Sequence, residues 1–303
     1  VLVIGAGPAG LAAALSAAAT GAGVVVVDEN ARAGGSGLFQ LGGDEARRLQ
    51  TRTLLDRVRT HPRIRLLEAT CAAACYADRW VPLIDAERMT KMRAGAVVVA
   101  GGAFEQPAVF RNNDLPGVML GSAMQRLIYR HAVRPAQRTV VLTANADGYR
   151  VALDLIAAGA NVTAVADMRA VVPASTLIDG LRREGVELLA GHAVYEAHAD
   201  GKGELAGVTL CRIDADGAVV PGSQRRIDCD GLAMSTGWAP SANLLYQAGT
   251  KMRFDDLLQQ FVPNELPEGV FACGRVNGVY QLDARMADGR RAGAAAAAHA
   301  GCG

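Results

Sequence analysis

Gly5, Gly7 and Gly10 in "VLVIGAGPAGLAAALSAAATGAGVVVVDEN" are spaced as G-x-G-x-x-G, and Asp28 closes the second apolar run beyond them. Residues of these types at this spacing can hold a pyrophosphate and a ribose. Glycine at 5 permits a tight turn, glycine at 7 lets the backbone approach a phosphate, and glycine at 10 lets a helix pack closely on a strand. The phosphates then meet a helix N-terminus, where N–H groups without helical partners and the helix dipole favour anions. Asp28 is placed to accept hydrogen bonds from ribose hydroxyls, and an acid here disfavours a 2′-phosphate and so NADP. Such chemistry needs an apolar strand before the glycines, a helix after them and a second strand ending at the acid. The Ala-rich stretch and the run of valines supply all three.

Other segments can converge on the same place. In "ARAGGSGLF", Gly34, Gly35 and Ser36 can bring further N–H groups to the phosphates or ribose. "AGAVVVAGG" (94–102) is a buried strand running into Gly101, and "DGLAMSTGW" (230–238) repeats that pattern; the two mark where the chain enters and leaves an inserted domain. The candidate cofactor-binding set is Gly5, Ala6, Gly7, Pro8, Ala9, Gly10, Asp28, Glu29, Gly35, Ser36, Gly101, Gly274 and Arg275, and no side chain is assigned a catalytic role. The helix over 283–299 carries Gly289 and Gly293 on small-residue spacing, which predicts close packing on the first sheet.

"VVLTANADGYRVALDLIAAGANVTAVAD" (140–167) has the same strand, loop, helix and strand, with a different loop. Thr143 stands where Gly5 stands, Asn145 where Gly7 stands, and only Gly148 matches a glycine, Gly10. Asn145 would put a side chain where a pyrophosphate must come, and Asp147 would add a like charge beside it. The second half therefore reads as a Rossmann domain kept for its core, with dinucleotide binding lost or much altered. A chain without a second pyridine-nucleotide site cannot easily pass a hydride from NADH to its own flavin.

The 303 residues suffice for one large or two medium cores, and the net charge of +1 offers no concentrated field for nucleic acid or an anionic membrane. Arginines within 44–66 alternate with acids and with leucines at helical spacing, as on a solvated helix face. The uncharged residues 1–27 are broken by glycines and proline, so they read as strand, helix and strand rather than a membrane span. Opening inside a strand on Val1 predicts a segment of something longer. Six cysteines without paired metal-ligand spacing predict reduced thiols in a cytoplasmic protein; "CAAAC" (71–75) is one residue longer than a redox dithiol. Five scattered histidines give no metal site, and no serine lies in a G-x-S-x-G elbow.

"VVVAGGAFEQPAVFRNNDLPGVMLGSAMQRLIYRHAV", "RTVVLTANADGYRVALDLIAAGANVTAVADMR" and "FACGRVNGVYQLDARMADGRRAGAAAAAH" resemble the alpha subunit of heterotetrameric sarcosine oxidase. They also resemble the alpha subunits of related assemblies that oxidise proline, hydroxyproline or opines, or make cyanide from glycine. The resemblance covers essentially the whole chain and implies a disulfide-reductase-like FAD/NAD(P)-binding fold. It implies NAD in the alpha subunit, with FAD or ATP in some relatives, and a beta subunit whose own flavin oxidises the amine. It further implies FMN at the alpha–beta interface in several members, and small subunits. Larger alpha subunits carry an N-terminal domain and a folate-binding C-terminal domain that this sequence lacks, so folate chemistry is not assigned. In flavin-binding relatives "FACG" continues with an aspartate that holds the ribityl chain. Here Arg275 follows, which shifts the expectation towards NAD, although an arginine can also pair with phosphate.

The expected architecture is α/β with two Rossmann-like dinucleotide-binding domains, the second inserted in the first: 1–110 with 231–303, and 111–230. Three functions fit: a dinucleotide-binding alpha-type subunit of a flavin-dependent amine oxidase or dehydrogenase complex, a self-contained FAD-dependent NAD(P)H oxidoreductase, and a non-catalytic nucleotide-binding scaffold. The first is the leading expectation.

Overall fold

Val24–Val27 is an unbroken run of β-branched residues, and such stiff side chains fit a pleated, buried sheet better than a helix. It lies second from one edge of a five-stranded parallel sheet ordered Val270–Ala272, Val97–Val99, Leu2–Ile4, Val24–Val27, Ile64–Leu67. The computed structural model describes residues 1–302. Helices α1 (Pro8–Ala19), α2 (Glu45–Thr60), α3 (Gly121–His131), α4 (Ala146–Ala157), α5 (Thr176–Arg183), α6 (Asn243–Gln247) and α7 (Leu282–His299) are separated by single strands or by runs of strands. The result is the expected α/β class with parallel sheets.

The chain divides into two compact units. The first comprises residues 1–38, 46–104 and 239–303; the second comprises 39–45 and 105–238. The second boundary differs from the expected 230/231 because Gly231–Ser235 pairs with Arg138–Thr143 and with Val118–Leu120, inside the second sheet. The first crossing lies at Phe104/Glu105 rather than 110/111, and Phe39–Glu45, expected in the first domain, belongs to the second unit.

Within the first unit the two-residue period of a strand sorts side chains to opposite faces. Val3, Val26 and Val98 pack with α1, Leu55 and Val58 of α2, and the alanines of α7. Leu2, Ile4, Val97 and Val99 pack on the other face with Val81 and Leu83 of a three-stranded antiparallel sheet, and with Leu245 of α6. Gly289 and Gly293 face α1 rather than the sheet: a Cβ on either would come within 2.1 Å of the Ala9 or Ala13 carbonyl oxygen. Small residues four apart thus let two helices approach backbone to backbone.

The second unit repeats the plan with a sheet ordered Glu187–Ala190, Asn161–Asp167, Arg138–Thr143, Gly231–Ser235, Val118–Leu120. One face carries Val141, Val165 and Ala233 against α3, α4 and α5. The other carries Val140, Leu142, Ala166 and Leu232 against a three-stranded antiparallel sheet, His192–Ala199, Leu205–Arg212 and Arg225–Asp228.

Gly293→Val should lower unfolding free energy by about 1–3 kcal/mol, because the added carbons must push α7 off α1. Ala294→Val, on the exposed face of the same helix, should cost less than about 1 kcal/mol. Urea denaturation of both variants checks this.

Candidate functional site

The three glycines of the first turn have different physical reasons. Gly5 has φ +99°, and a Cβ there would lie 2.4 Å from the Ala100 carbonyl oxygen. At Gly10 a Cβ would lie 1.8 Å from the Gly5 carbonyl oxygen, so only glycine lets α1 sit this close to the turn. Gly7 differs from both. Its φ is −76°, which any residue adopts, and a Cβ there would meet nothing nearer than the Gly35 Cα at 4.0 Å. Folding requires glycine at 5 and 10; the space in front of Gly7 is a cradle that a side chain would fill.

That cradle lies at the start of α1. Gly7 is the N-cap and supplies no side chain, Pro8 brings no N–H, and no acid stands in the first turn. The Gly34 N–H donates to the Ala6 carbonyl at 2.8 Å, and a Cβ on Gly35 would lie 2.9 Å from the Gly7 Cα. Gly35 and Ser36 thus lie against the turn. Gly101 follows the strand beside Gly5, with its backbone N 3.4 Å from a Cβ placed there. Gly274 has φ +79°, and a Cβ there would lie 2.7 Å from the Ala9 Cβ, which brings Arg275 to the same pole.

The parallel register of Leu2–Ile4 with Val24–Val27 sets Asp28 beside this turn. A buried carboxylate needs hydrogen bonds, and Asp28, 7% exposed, accepts them from the Ala6 N–H at 2.8 Å and from the Asn30 N–H and side-chain amide at 2.9 and 2.8 Å. A carboxylate offers about four acceptor directions, so three bonds leave room for a further donor. Glu29 next to it is exposed.

Sequence reasoning missed Arg285 and Asp288. Arg285 is buried and donates to the Ser36 hydroxyl at 3.0 Å. Asp288 is buried, accepts the Gly274 N–H at 2.8 Å, and is bonded by Asn277 and Arg291. Arg275 is also buried, its guanidinium carbon 5.6 Å from the centre of the Tyr280 ring. The available signal was position: Arg285 and Asp288 share the buried face of α7 with Gly289 and Gly293. Cys273 precedes Gly274 and is fully buried; burial, with Asp288 adding, pushes its thiol up to about 12. All six cysteines are free, with Cys71 exposed and Cys75 buried. Among the described residues no group of three or more His, Cys, Asp or Glu could hold a metal ion, and no helix is long and apolar enough to cross a membrane.

In the second unit, the features that would receive a dinucleotide are met by the chain's own side chains. Asn145 caps α4, its Oδ1 accepting the Asp147 N–H at 2.8 Å while its amide donates to the Ser235 carbonyl at 3.0 Å. Thr143 donates its hydroxyl to the Asn145 carbonyl of the same loop or to the Ser235 carbonyl at the end of the neighbouring strand. Gly148 keeps the packing reason of Gly10, since a Cβ would lie 2.2 Å from the Thr143 hydroxyl. Asp167 ends its strand as Asp28 follows its own, but it is fully buried, accepts the Tyr149 hydroxyl, and is gripped by Arg169 at 2.7 and 3.0 Å. Burial, reinforced by Asp167, holds the Tyr149 phenol well above its ordinary value. Glu105, 4% exposed, accepts the Ser122 N–H at 2.6 Å and the Ser235 hydroxyl at 2.8 Å. Burial raises its carboxyl above the usual range despite these bonds, with Asp147 adding to the rise.

Residues 1–301 match the sequence pattern of the pyridine nucleotide-disulphide oxidoreductase family. Among curated relatives, sarcosine oxidase subunit alpha of Corynebacterium sp. (strain P-1) is 33% identical over 319 residues, an alignment spanning 99% of this chain and 32% of that protein. The chain thus spans about a third of the length of that relative. Among solved structures, L-proline dehydrogenase from P. horikoshii superposes with a TM-score of 0.73 at 20% identity, over 100% of this chain and 55% of that one. Thioredoxin reductase of Lactococcus lactis superposes with a TM-score of 0.76 at 16% identity, over 99% and 98%. The FAD/NAD(P)-binding fold expected from the resemblance is therefore the fold observed.

Glu105 gives a pH test. Because its folded value is raised above 4.5, the stability it contributes is fully present below pH 4.5 and lost as pH rises through the folded value. Wild-type stability minus that of Glu105→Gln should decline from about pH 4.5 upward and then level off. Parallel pH profiles in urea denaturation would refute the assignment.

Proposed function

The chain belongs to the pyridine nucleotide-disulphide oxidoreductase family, and from that premise we propose that its first unit binds a dinucleotide, NAD or FAD, at the N-terminus of α1. The observation that carries this is Gly7, a glycine that neither backbone conformation nor packing requires. A pyrophosphate needs that space, together with the bare first turn of α1. Asp28 would then hold the ribose, and Gly35 and Ser36, close to Gly7, would offer further groups to the phosphates. The buried guanidinium groups of Arg275 and Arg285 supply positive charge near the same pole, where a diphosphate carries negative charge. Bound there, the dinucleotide would supply a redox-active ring.

We further propose that the chain serves as the alpha-type part of a multisubunit flavin-dependent amine oxidase or dehydrogenase, with the amine oxidised on a beta-type flavin subunit. Its sarcosine oxidase relative is named as a subunit, which supports this reading. The reading includes the small subunits and the FMN between subunits that the family resemblance implies, and a cytoplasmic location. Against a self-contained NAD(P)H reductase speaks the second unit, where Asn145 and Asp167, which stand in the places of Gly7 and Asp28, are bonded to the chain's own groups.

Two measurements test this. Denaturing the purified protein should release about one nucleotide per chain, and mass spectrometry with an absorption spectrum should identify it as colourless NAD or yellow FAD. Gly7→Ala should fold with the stability of wild type stripped of nucleotide, yet bind NAD or FAD at least about tenfold more weakly, or about 1.4 kcal/mol. Undiminished binding by Gly7→Ala would overturn the site.

A further inference from the structure

Within the first unit, two sheets pack face to face, and the packing opens at one edge. The antiparallel sheet comprises Cys71–Ala72, Trp80–Ile84 and Met89–Arg93. Leu83 lies opposite Thr90 and Val81 opposite Met92, so these four side chains share the face turned to the parallel sheet. On the parallel sheet Val25 pairs with Arg65 and Val27 with Leu67, which puts Arg65 on the inward face of the edge strand. Under the middle of that sheet Leu2, Ile4, Val97 and Val99 meet Val81 and Leu83, and all of them are buried. Towards the edge the inward positions are Arg65 and Thr90, both exposed. A guanidinium reaches out to water and a threonine is short, so neither fills the space between the sheets.

A cavity of about 240 Å³ results, walled by Val25, Leu67, Leu83 and Met92, with the exposed Arg65, Arg88 and Thr90 at its mouth. Val25, Leu67 and Met92 are only half-buried. Protein interiors are filled to crystal-like density, and apolar walls with atoms on one side only forgo contacts that an apolar group could supply. The mouth carries an excess of positive charge. Asp85 lines it too, but its Oδ1 accepts the Glu87 and Arg88 N–H groups at 2.9 and 3.0 Å, and its Oδ2 lies 3.5 Å from Nε of Arg88. Among the described residues no ion pair engages Arg65. The guanidinium rooted beside Val25 therefore has no counter-charge.

We propose that this cavity binds a small aliphatic monocarboxylate, with its chain on Val25, Leu67, Leu83 and Met92 and its carboxylate on Arg65. A planar guanidinium takes a carboxylate through two parallel hydrogen bonds, and the alkyl chain gains by leaving water. At about 30 Å³ for each water-sized group, the space suits about eight non-hydrogen atoms, as in hexanoate. The site lies wholly in the first unit, and its formation requires neither the nucleotide nor the second unit.

Titration calorimetry on the whole chain with hexanoate, hexanol and hexylamine tests the inference, and methyl NMR of the methionines locates the ligand. Hexanoate should bind about once per chain with a Kd of about 1 mM or lower. Hexanol, with the same tail and no charge, should bind at least about tenfold more weakly, and hexylamine not measurably. The Met92 methyl signal, identified by its loss in Met92→Leu, should shift as hexanoate is added. Arg65→Gln should weaken hexanoate at least about tenfold and leave hexanol as it was. Thr90→Phe, which fills the space from the exposed edge strand, should abolish binding of both. Saturating NAD or FAD should leave hexanoate affinity unchanged. Hexylamine binding as well as hexanoate, wild-type affinity in Arg65→Gln, an unmoved Met92 signal, or no binding of hexanoate up to about 10 mM would each overturn the proposal. Displacement of hexanoate by either nucleotide would overturn it as well, since the cavity would then belong to the nucleotide site.

Discussion

Helix α1 is approached by backbone from several directions, and the first unit is arranged around that constraint. Gly10 lets it rest on the Gly5 carbonyl, and Gly289 and Gly293 let α7 rest on the carbonyls of Ala9 and Ala13. Its alanines leave little side chain to hold neighbours away. Close-packed interiors resist small displacements, so a helix seated this way has a fixed axis and a fixed N-terminus. Fixed N–H groups are what an anion needs, since they need not reorganise when it arrives. The same glycines that serve packing therefore also aim the dipole, and of the three in the turn Gly7 alone is required by neither packing nor backbone conformation.

The second unit shows the same frame under a different electrostatic arrangement. A helix N-terminus without a partner leaves N–H groups unsatisfied, and there the chain supplies its own acceptors: the Asn145 side chain at α4, and the Glu105 carboxylate on the Ser122 N–H of α3. The acid at the end of its second strand is held by Tyr149 and Arg169. Internal groups are always present at full local concentration, so they stabilise the unit without a ligand. An external dinucleotide would have to displace them.

The sequence pointed to the candidate site of the first unit through residues whose reasons are local. A G-x-G-x-x-G between a strand and a helix has few physical uses, and the loss of two glycines at 143 and 145 is visible by inspection. What it hid were partners far apart in the chain. Arg285 meets Ser36 across 249 positions, and Ser235 meets Glu105 across 130. The strand Gly231–Ser235 read well as a strand, yet its sheet was misjudged, since an apolar run does not carry the identity of its neighbours.

The sequence by itself determined the class of fold, the strand–turn–helix units and the turn whose glycines meet α1, because backbone dihedrals and two- or 3.6-residue periods are set by neighbouring residues. Tertiary structure alone decided that Gly7 is spared by folding whereas Gly5 and Gly10 are not, that Asp28 ties Ala6 and Asn30, and that Phe39–Glu45 belongs with the second unit. Those facts depend on which atoms approach within a few ångströms after the chain has closed on itself, and no local pattern encodes such distances.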